Sequence, residues 1–564
     1  MKSPRGKAAR AGVRPRNGGP RKQRDQVSGE RRDPELASDG HGPGKRRGRV
    51  ALLLFALLFF VYLSNGMFLP GNDAVPNVRL PLQILDHGSL YFTPEQNPSM
   101  FVFSMETPEG KTPAKFRDWR ATHEGRPVYE AWQAGKLTLS EPRYYLTSTI
   151  RPGKYASTFG IGAGLTALPV FAVVKLFVRN LADRAELLWQ LGKIVAAMLV
   201  AGSAVFLFLA ASERIGPFAA FLLAAAYGLG TCVWSTSSQA LWQHGPCEFF
   251  MAVGAYFLLQ KDRRLADALS GLAFGLAVLC RPTAALVVAS VSVFHAIGDR
   301  SRFLRFVVGG LPVAVVALVY AQVTFGNPFS FGQLANQGLA LEKTGNPSLW
   351  QTPLYVGGAG LLLSPGRGLL LYSPIAIFAL WGLGRAFRDP VWRDLRALAV
   401  GAVALFLLSS KWFDWWGGWC FGYRPIVDTA ILLAFVALPV VDRVRNARVL
   451  QATFTVLLAW SVGVQIIGAF AYDVDGWNGG LVYDVSRPGT DTRITFEDRA
   501  SAIRHARDHG GGTVIPRMRD IDSPEGHDRL WSLSDSPLRY YYRRFAEGKE
   551  ARRRTVQAFL DDSG

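Results

Sequence analysis

The chain has 564 residues, of which 49% are hydrophobic and only 19% charged. Its apolar residues come in blocks long enough to cross a bilayer, which excludes an ordinary soluble globular protein and indicates a polytopic membrane protein. The net charge of +20 would suit a nucleic-acid partner, but residues 1–49 alone hold 15 Lys/Arg against 5 Asp/Glu, half of the excess. With half of the excess gathered in one tail, the distribution argues against nucleic acid.

That tail, residues 1–49, is rich in Gly, Pro and Arg and is expected to be disordered. Its end, Lys45-Arg46-Arg47-Gly48-Arg49, directly precedes an apolar run, as a cytoplasmic anchor on anionic lipid does. A secretory signal peptide would not carry so long a charged lead. Residues 50–65 form the first expected span. A long polar stretch, 66–157, follows as the first external loop, with Val78–Asp86 and Arg126–Leu137 expected as helices lying along the interface. Asp73 sits at the start of this loop in the Pro/Gly-rich turn Leu69-Pro70-Gly71-Asn72-Asp73. Taken alone, it reads as an N-cap for a helix beginning near Val75.

Phe159–Val178 is apolar enough to span. Later expected segments are approximately 189–211, 217–233, 246–260, 267–280, 283–297, 304–325, 368–387, 396–410, 428–441 and 448–471. If Phe159–Val178 crosses, the basic loops at 261–264, 299–305, 385–396 and 442–448 all face outward. If it lies in the outer interface, all four face the cytoplasm, as the positive-inside rule prefers. The resulting expectation is an all-α polytopic fold of about eleven transmembrane helices, amino terminus inside and carboxyl terminus outside. Residues 50–472 are the membrane domain, 348–366 a segment too short to cross, and 473–564 an external extension.

Gly160-Ile161-Gly162-Ala163-Gly164 follows no strand, so it reads as close helix packing rather than a dinucleotide loop. The four cysteines, Cys232, Cys247, Cys280 and Cys420, lie in or beside apolar segments without metal spacing and read as packing residues. No Walker loop, HExxH or paired-cysteine cluster occurs.

With this topology the unusual residues gather on the external side. They are Asp73, Lys154, Trp242-Gln243-His244, Arg281, Arg367 and the run from Trp412 to Arg424, which includes Trp416. Cations at membrane depth are costly unless they meet an anion, either a lipid headgroup or the phosphate of a substrate. Tryptophans there serve equally well as interfacial anchors. His244 stands four residues before Glu248, so the two share a helix face, and a glutamate within an apolar helix is a functional candidate.

These residues resemble the GT-C superfamily of integral-membrane glycosyltransferases, whose members include oligosaccharyltransferases, protein O-mannosyltransferases and the aminoarabinose transferase of lipid A. The likeness is carried by Asn72-Asp73-Ala74 with Leu80-Pro81-Leu82 and Gly88-Ser89-Leu90, by Lys154-Tyr155, and by Ala240-Leu241-Trp242-Gln243-His244-Gly245-Pro246. It continues in Gly326-Asn327-Pro328, Leu363-Ser364-Pro365-Gly366-Arg367 with Tyr372-Ser373-Pro374, and Trp416-Gly417-Gly418-Trp419 with Phe421-Gly422-Tyr423-Arg424. It spans roughly residues 50–475 and is similar to bacterial members of that superfamily.

The resemblance implies transfer of a sugar from a polyprenyl-phosphate donor by an inverting displacement, on the outer face of a bacterial cytoplasmic membrane. The acceptor would be a glycan, lipid or protein. It also implies Asp73 as catalytic base and Lys154 with Arg424 or Arg367 holding the lipid phosphate, while His244, Glu248, Arg281 and Trp416 stand as candidate pocket residues from the grouping described above. Asn72 stands where related enzymes carry a second carboxylate, so a metal-independent site is expected, with no cofactor beyond the lipid-linked donor. A single base plus fixed cations suffices for inversion, whereas retention calls for a carboxylate nucleophile. The competing function is a transporter or flippase of a polyprenyl-linked or anionic lipid. It would be expected to show repeated halves, and the sequence shows no repeat.

Overall fold

A computed structural model of the chain describes residues 43–107, 110–114, 122–123, 126–127, 137–260, 264–444, 446–486, 493–496 and 499–563. Residues 1–46 form one unit, of which only Pro43 onward is described, and residues 47–564 form the other. The expected disorder of the tail lies outside the described residues up to residue 42. Residues 43–49 are helical, the start of Pro43–Leu63, which corrects the expectation there. The basic loop at 261–263 also lies outside the described residues.

Helices dominate, and they fall where the apolar blocks fall. Three of them, Ala185–Ile215, Arg300–Phe325 and Arg448–Phe470, are long and apolar enough to cross a membrane on length and composition. The remaining expected spans are shorter or broken helices: Pro217–Gly230, His244–Leu258, Arg264–Cys280, Ala285–Gly298 and Arg396–Lys411, among others. Eleven crossings remain an expectation, of which three helices among the described residues have the length and apolar composition. Proline accounts for one break. The block expected at 368–387 stops at Tyr372 and resumes as the helix Ile377–Arg388, because Pro374 cannot continue the helical hydrogen bonding. The helix Arg300–Phe325 leaves Leu304, Val308 and Leu311 more than half exposed. A continuous apolar face of that kind suits lipid better than water.

Phe159–Val178 becomes the helix Gly162–Phe177. Its entry is pressed against the end of Arg264–Cys280: a Cβ on Gly160 would stand 2.4 Å from the Cys280 carbonyl oxygen, and one on Gly162 2.5 Å from the Cys280 nitrogen. Only glycine permits that approach, in line with the packing reading of this run. All four cysteines are free and buried.

The chain is mostly helical, as expected, but it also carries short sheets that the all-α expectation did not include. Val75–His87 is a helix, covering the expected Val78–Asp86. Further along the same loop, Phe101–Thr107 pairs antiparallel with both Gly110–Ala114 and Leu137–Pro142. The short strands Leu146–Ser148 and Tyr155–Ser157 form a second antiparallel pair. Of the expected interfacial helix Arg126–Leu137, Arg126–Pro127 and Leu137 lie in strands, and the remainder lies outside the described residues. Residues 473–564 contain another three-stranded sheet, with Leu481–Ser486 between Thr513–Met518 and Arg493–Phe496. This extension packs into the helical body: buried Arg552 donates to the Ala469 carbonyl at 2.5 Å, and the Leu530 carbonyl accepts from the Gly366 amide at 3.1 Å.

Candidate active site

The first helix, Pro43–Leu63, ends before a Pro-Gly turn that carries the backbone under the indole of Trp242. A Cβ on Gly71 would lie 2.1 Å from that ring, so the close approach depends on glycine. Asp73 follows two residues later. It does not cap the next helix, whose N-cap is Ala74 with no side-chain bond. Its carboxylate turns away, accepting from Arg424 Nη1 at 2.7 Å on Oδ2 and from the Tyr144 hydroxyl at 2.5 Å on Oδ1. The cap expectation is thus corrected: the two oxygens are engaged by a cation and a phenol from distant parts of the chain.

Arg424 also donates to the Gly417 carbonyl at 2.6 Å and lies over the Trp242 ring, 5.0 Å from its centroid. Burial alone would ease the proton off this guanidinium, but the adjoining Asp73 carboxylate outweighs it and holds its pKa above the ordinary value. The Asp73 and Arg424 side chains keep 21% and 15% of their surface exposed, enough to face the cavity beside them.

That cavity has a volume of about 470 Å³ and is lined by Asp73, Tyr144, Trp242, Gln243, His244, Arg281 and Arg424, along with residues of further segments. His244 opens the helix His244–Leu258. Its Nδ1 lies 2.9 Å from Asp428 Oδ1 and 3.1 Å from Arg281 Nη1. Arg281 pairs with Asp428 and donates to the Pro425 carbonyl at 3.2 Å. It is positioned by Pro282, which ends the helix Arg264–Cys280 and leaves Arg281 extended.

A second charged cluster lines the same cavity. Lys343, on the helix Gln337–Thr344, lies 3.4 Å from Asp414 and 3.0 Å from Asp522. Burial pulls the Lys343 pKa down, and the two carboxylates more than restore it, leaving it above its ordinary value. Asp522 and its neighbour Asp520 belong to the extension. They accept from the indole nitrogens of Trp416 at 2.9 Å and Trp419 at 2.8 Å.

Of the residues expected at the site, the structure brings Asp73, Arg424, His244 and Arg281 to one cavity. The others lie elsewhere. Lys154 is exposed next to the strand Tyr155–Ser157, its Nζ 5.9 Å from the Tyr91 ring, and it does not line the cavity. Arg367 is fully buried, and its guanidinium donates to the carbonyls of Trp416, Gly366 and Gly418 and to the Asn478 side chain at 2.9–3.0 Å. It holds a loop together and presents no donor to a phosphate, which corrects its expected role. Glu248 lies one turn deeper than His244, without exposure, and accepts from Ser237 at 2.7 Å. It cannot supply the second carboxylate that retention would need. Trp416 stands behind the cavity wall, its ring 4.4 Å from that of His527.

Sequence reasoning missed Tyr144, Asp428, Lys343 and Asp522, and reached Asp414 only as a member of the run from Trp412 to Arg424. A signal existed for Asp428, an ionisable residue at the head of an apolar block. The others are brought in by chain folding across long separations, and no local pattern marks them. Among the described residues, no group of three or more His, Cys, Asp or Glu is placed to hold a metal ion.

No family model and no curated protein matches the chain. Among solved structures it is similar to the crystal structure of ArnT from Cupriavidus metallidurans bound to undecaprenyl phosphate. The identity is 14%, the match covers 75% of this chain and 69% of that one, and the TM-score is 0.42.

Proposed function

We propose that the chain is an inverting membrane glycosyltransferase that moves a sugar from a polyprenyl-phosphate donor to an acceptor hydroxyl at the external membrane surface. The observation that carries this reading is the Asp73 carboxylate, held at a cavity wall between Arg424 and Tyr144. One base and adjoining cations are what such a displacement requires.

In the reaction the acceptor O–H gives its proton to Asp73 while its oxygen forms the new bond to the anomeric carbon. The bond from that carbon to the phosphate oxygen breaks, and the polyprenyl phosphate departs with its electron pair. Arg424, with Arg281 in the same cavity, stabilises the departing anion; Lys154 and Arg367 take no part. A phosphate oxygen competes with Asp73 for Arg424, which frees a carboxylate oxygen to take the acceptor proton. The neighbours of Asp73 are a guanidinium and a phenol rather than further carboxylates, a set that suits a base better than a cation ligand.

Mass spectrometry of lipids bound to the purified protein tests the reading. It expects a polyprenyl phosphate, or its monosaccharide adduct, together with sugar transfer from that adduct in vitro. Bound lipid that is released unchanged across a reconstituted bilayer, without transfer, would instead identify a transporter.

A further inference from the structure

Three side-chain polar atoms of residues lining this cavity have no hydrogen-bond partner among the described residues: the indole nitrogen of Trp242, the side-chain oxygen of Gln243, and Nε of Arg281, whose other nitrogens meet Asp428 and the Pro425 carbonyl. Trp242 and Gln243 are consecutive and only 5% and 9% exposed. Neither atom can be left to bulk water at that depth, and a buried unpaired donor or acceptor destabilises the protein that holds it. The usual resolution is a partner that arrives from outside.

The rest of the Trp242 side chain is committed. One part of the indole lies against Gly71, and its face carries Arg424. The ring therefore fixes the approach of the Asp73 loop whether or not its nitrogen is paired, and the two functions are separable by substitution. The unpaired atoms of Trp242 and Gln243 are both neutral. Phosphate, which only accepts, could satisfy the indole nitrogen but not the Gln243 oxygen. A hydroxyl both donates and accepts, so one hydroxyl, or two on adjacent carbons, satisfies both atoms.

We infer that Trp242 and Gln243 form a hydroxyl-reading subsite next to Asp73 and Arg424, which takes a polyhydroxylated ring rather than the phosphate. The inference rests on the glycosyltransferase reading and assigns to it the residues that select the sugar. The hydroxyls belong either to the donor's glycosyl group or to a sugar acceptor.

The test uses the full chain in nanodiscs with Trp242→Phe, which keeps the ring and removes the N–H, and Gln243→Leu, which removes the amide at similar volume. The probes are undecaprenyl phosphate, the same lipid carrying mannose, glucose, galactose or arabinose, and the corresponding methyl glycosides. Both variants are expected to be at least as thermally stable as the parent when no probe is bound, because an unpaired buried group is gone. Each is expected to bind its best glycosylated probe about tenfold more weakly, the loss of one hydrogen bond, with undecaprenyl phosphate itself bound within about twofold of the parent. Loss confined to the lipid-linked sugars assigns the hydroxyls to the donor, and loss confined to methyl glycosides assigns them to the acceptor. The inference is overturned if bare and glycosylated lipid weaken together, if no glycosylated probe weakens, or if both unliganded variants melt well below the parent. A parent protein that binds no polyprenyl phosphate of any kind would bring down the enzymatic reading itself, and the subsite with it.

Discussion

Asp73→Asn separates a base from a tether. The substitution keeps the size of the side chain and an oxygen for the Tyr144 hydroxyl, but removes the charge that faces Arg424 at 2.7 Å. A hydrogen bond to a charged partner is worth about 1.5–3 kcal/mol. The pair is partly open to the cavity, with 21% and 15% of the two side chains exposed, so a cost near the lower end, about 2 kcal/mol, is expected. Arg424 keeps the Gly417 carbonyl and the Trp242 face as partners. Against a typical margin of about 5–15 kcal/mol, that loss leaves almost all of the protein folded. A tether would therefore give a slightly less stable protein with nearly normal activity. General-base catalysis is worth about 10²–10⁴ in rate, equivalent to roughly 3–5 kcal/mol in the barrier. The assay is release of polyprenyl phosphate from the sugar-linked lipid, followed by mass spectrometry, alongside donor binding and a melting curve. The expected result is a folded variant that binds donor and transfers almost nothing. A folded variant retaining more than about a tenth of the parent rate would refute the assignment.

Lys154→Met should leave donor affinity within about twofold, since the lysine is exposed and outside the cavity; a larger loss would return it to the phosphate site. Arg367→Lys should lower the melting temperature and the yield, because an ammonium cannot reproduce the fork that serves three carbonyls and Asn478 at once. An Arg367→Lys protein of parental stability that had lost donor binding would contradict the structural role. Asp473, in the extension, has its carboxyl pushed up to about 6 by burial and by the neighbouring Asp475. The folded form thus binds the proton more tightly than the unfolded chain, and stability falls as pH rises from about 4 to about 6, then levels off. Asp473→Asn should remove that fall: its melting temperature should match the parent near pH 4 and exceed it above pH 6, by up to roughly 3 kcal/mol of stability. An offset that does not change with pH would refute it.

Much of the helical layout was legible from hydropathy. Apolar blocks such as 189–211 and 448–471 became the helices Ala185–Ile215 and Arg448–Phe470, because a backbone in lipid must satisfy its own hydrogen bonds whatever its neighbours are. The glycine run at 160–164 was likewise legible as packing, since a missing Cβ has the same local meaning in any fold. The strands of the first loop and the extension were not. They are short, and their pairing joins residues such as Phe101 and Pro142, far apart in the chain. The site divides in the same way. Pro70-Gly71 and Pro282 mark breaks that deliver Asp73 and Arg281, and those breaks follow from backbone sterics alone. Which cation meets Asp73 was decided only by folding. Arg367 and Arg424 both follow Gly-rich turns and look alike in sequence, yet one is enclosed by carbonyls and the other faces a carboxylate. The partners Tyr144 and Asp522 carry no local mark either, because a charged or hydroxylated side chain gets its role from what lies within about 3 Å, and that is a property of the tertiary structure.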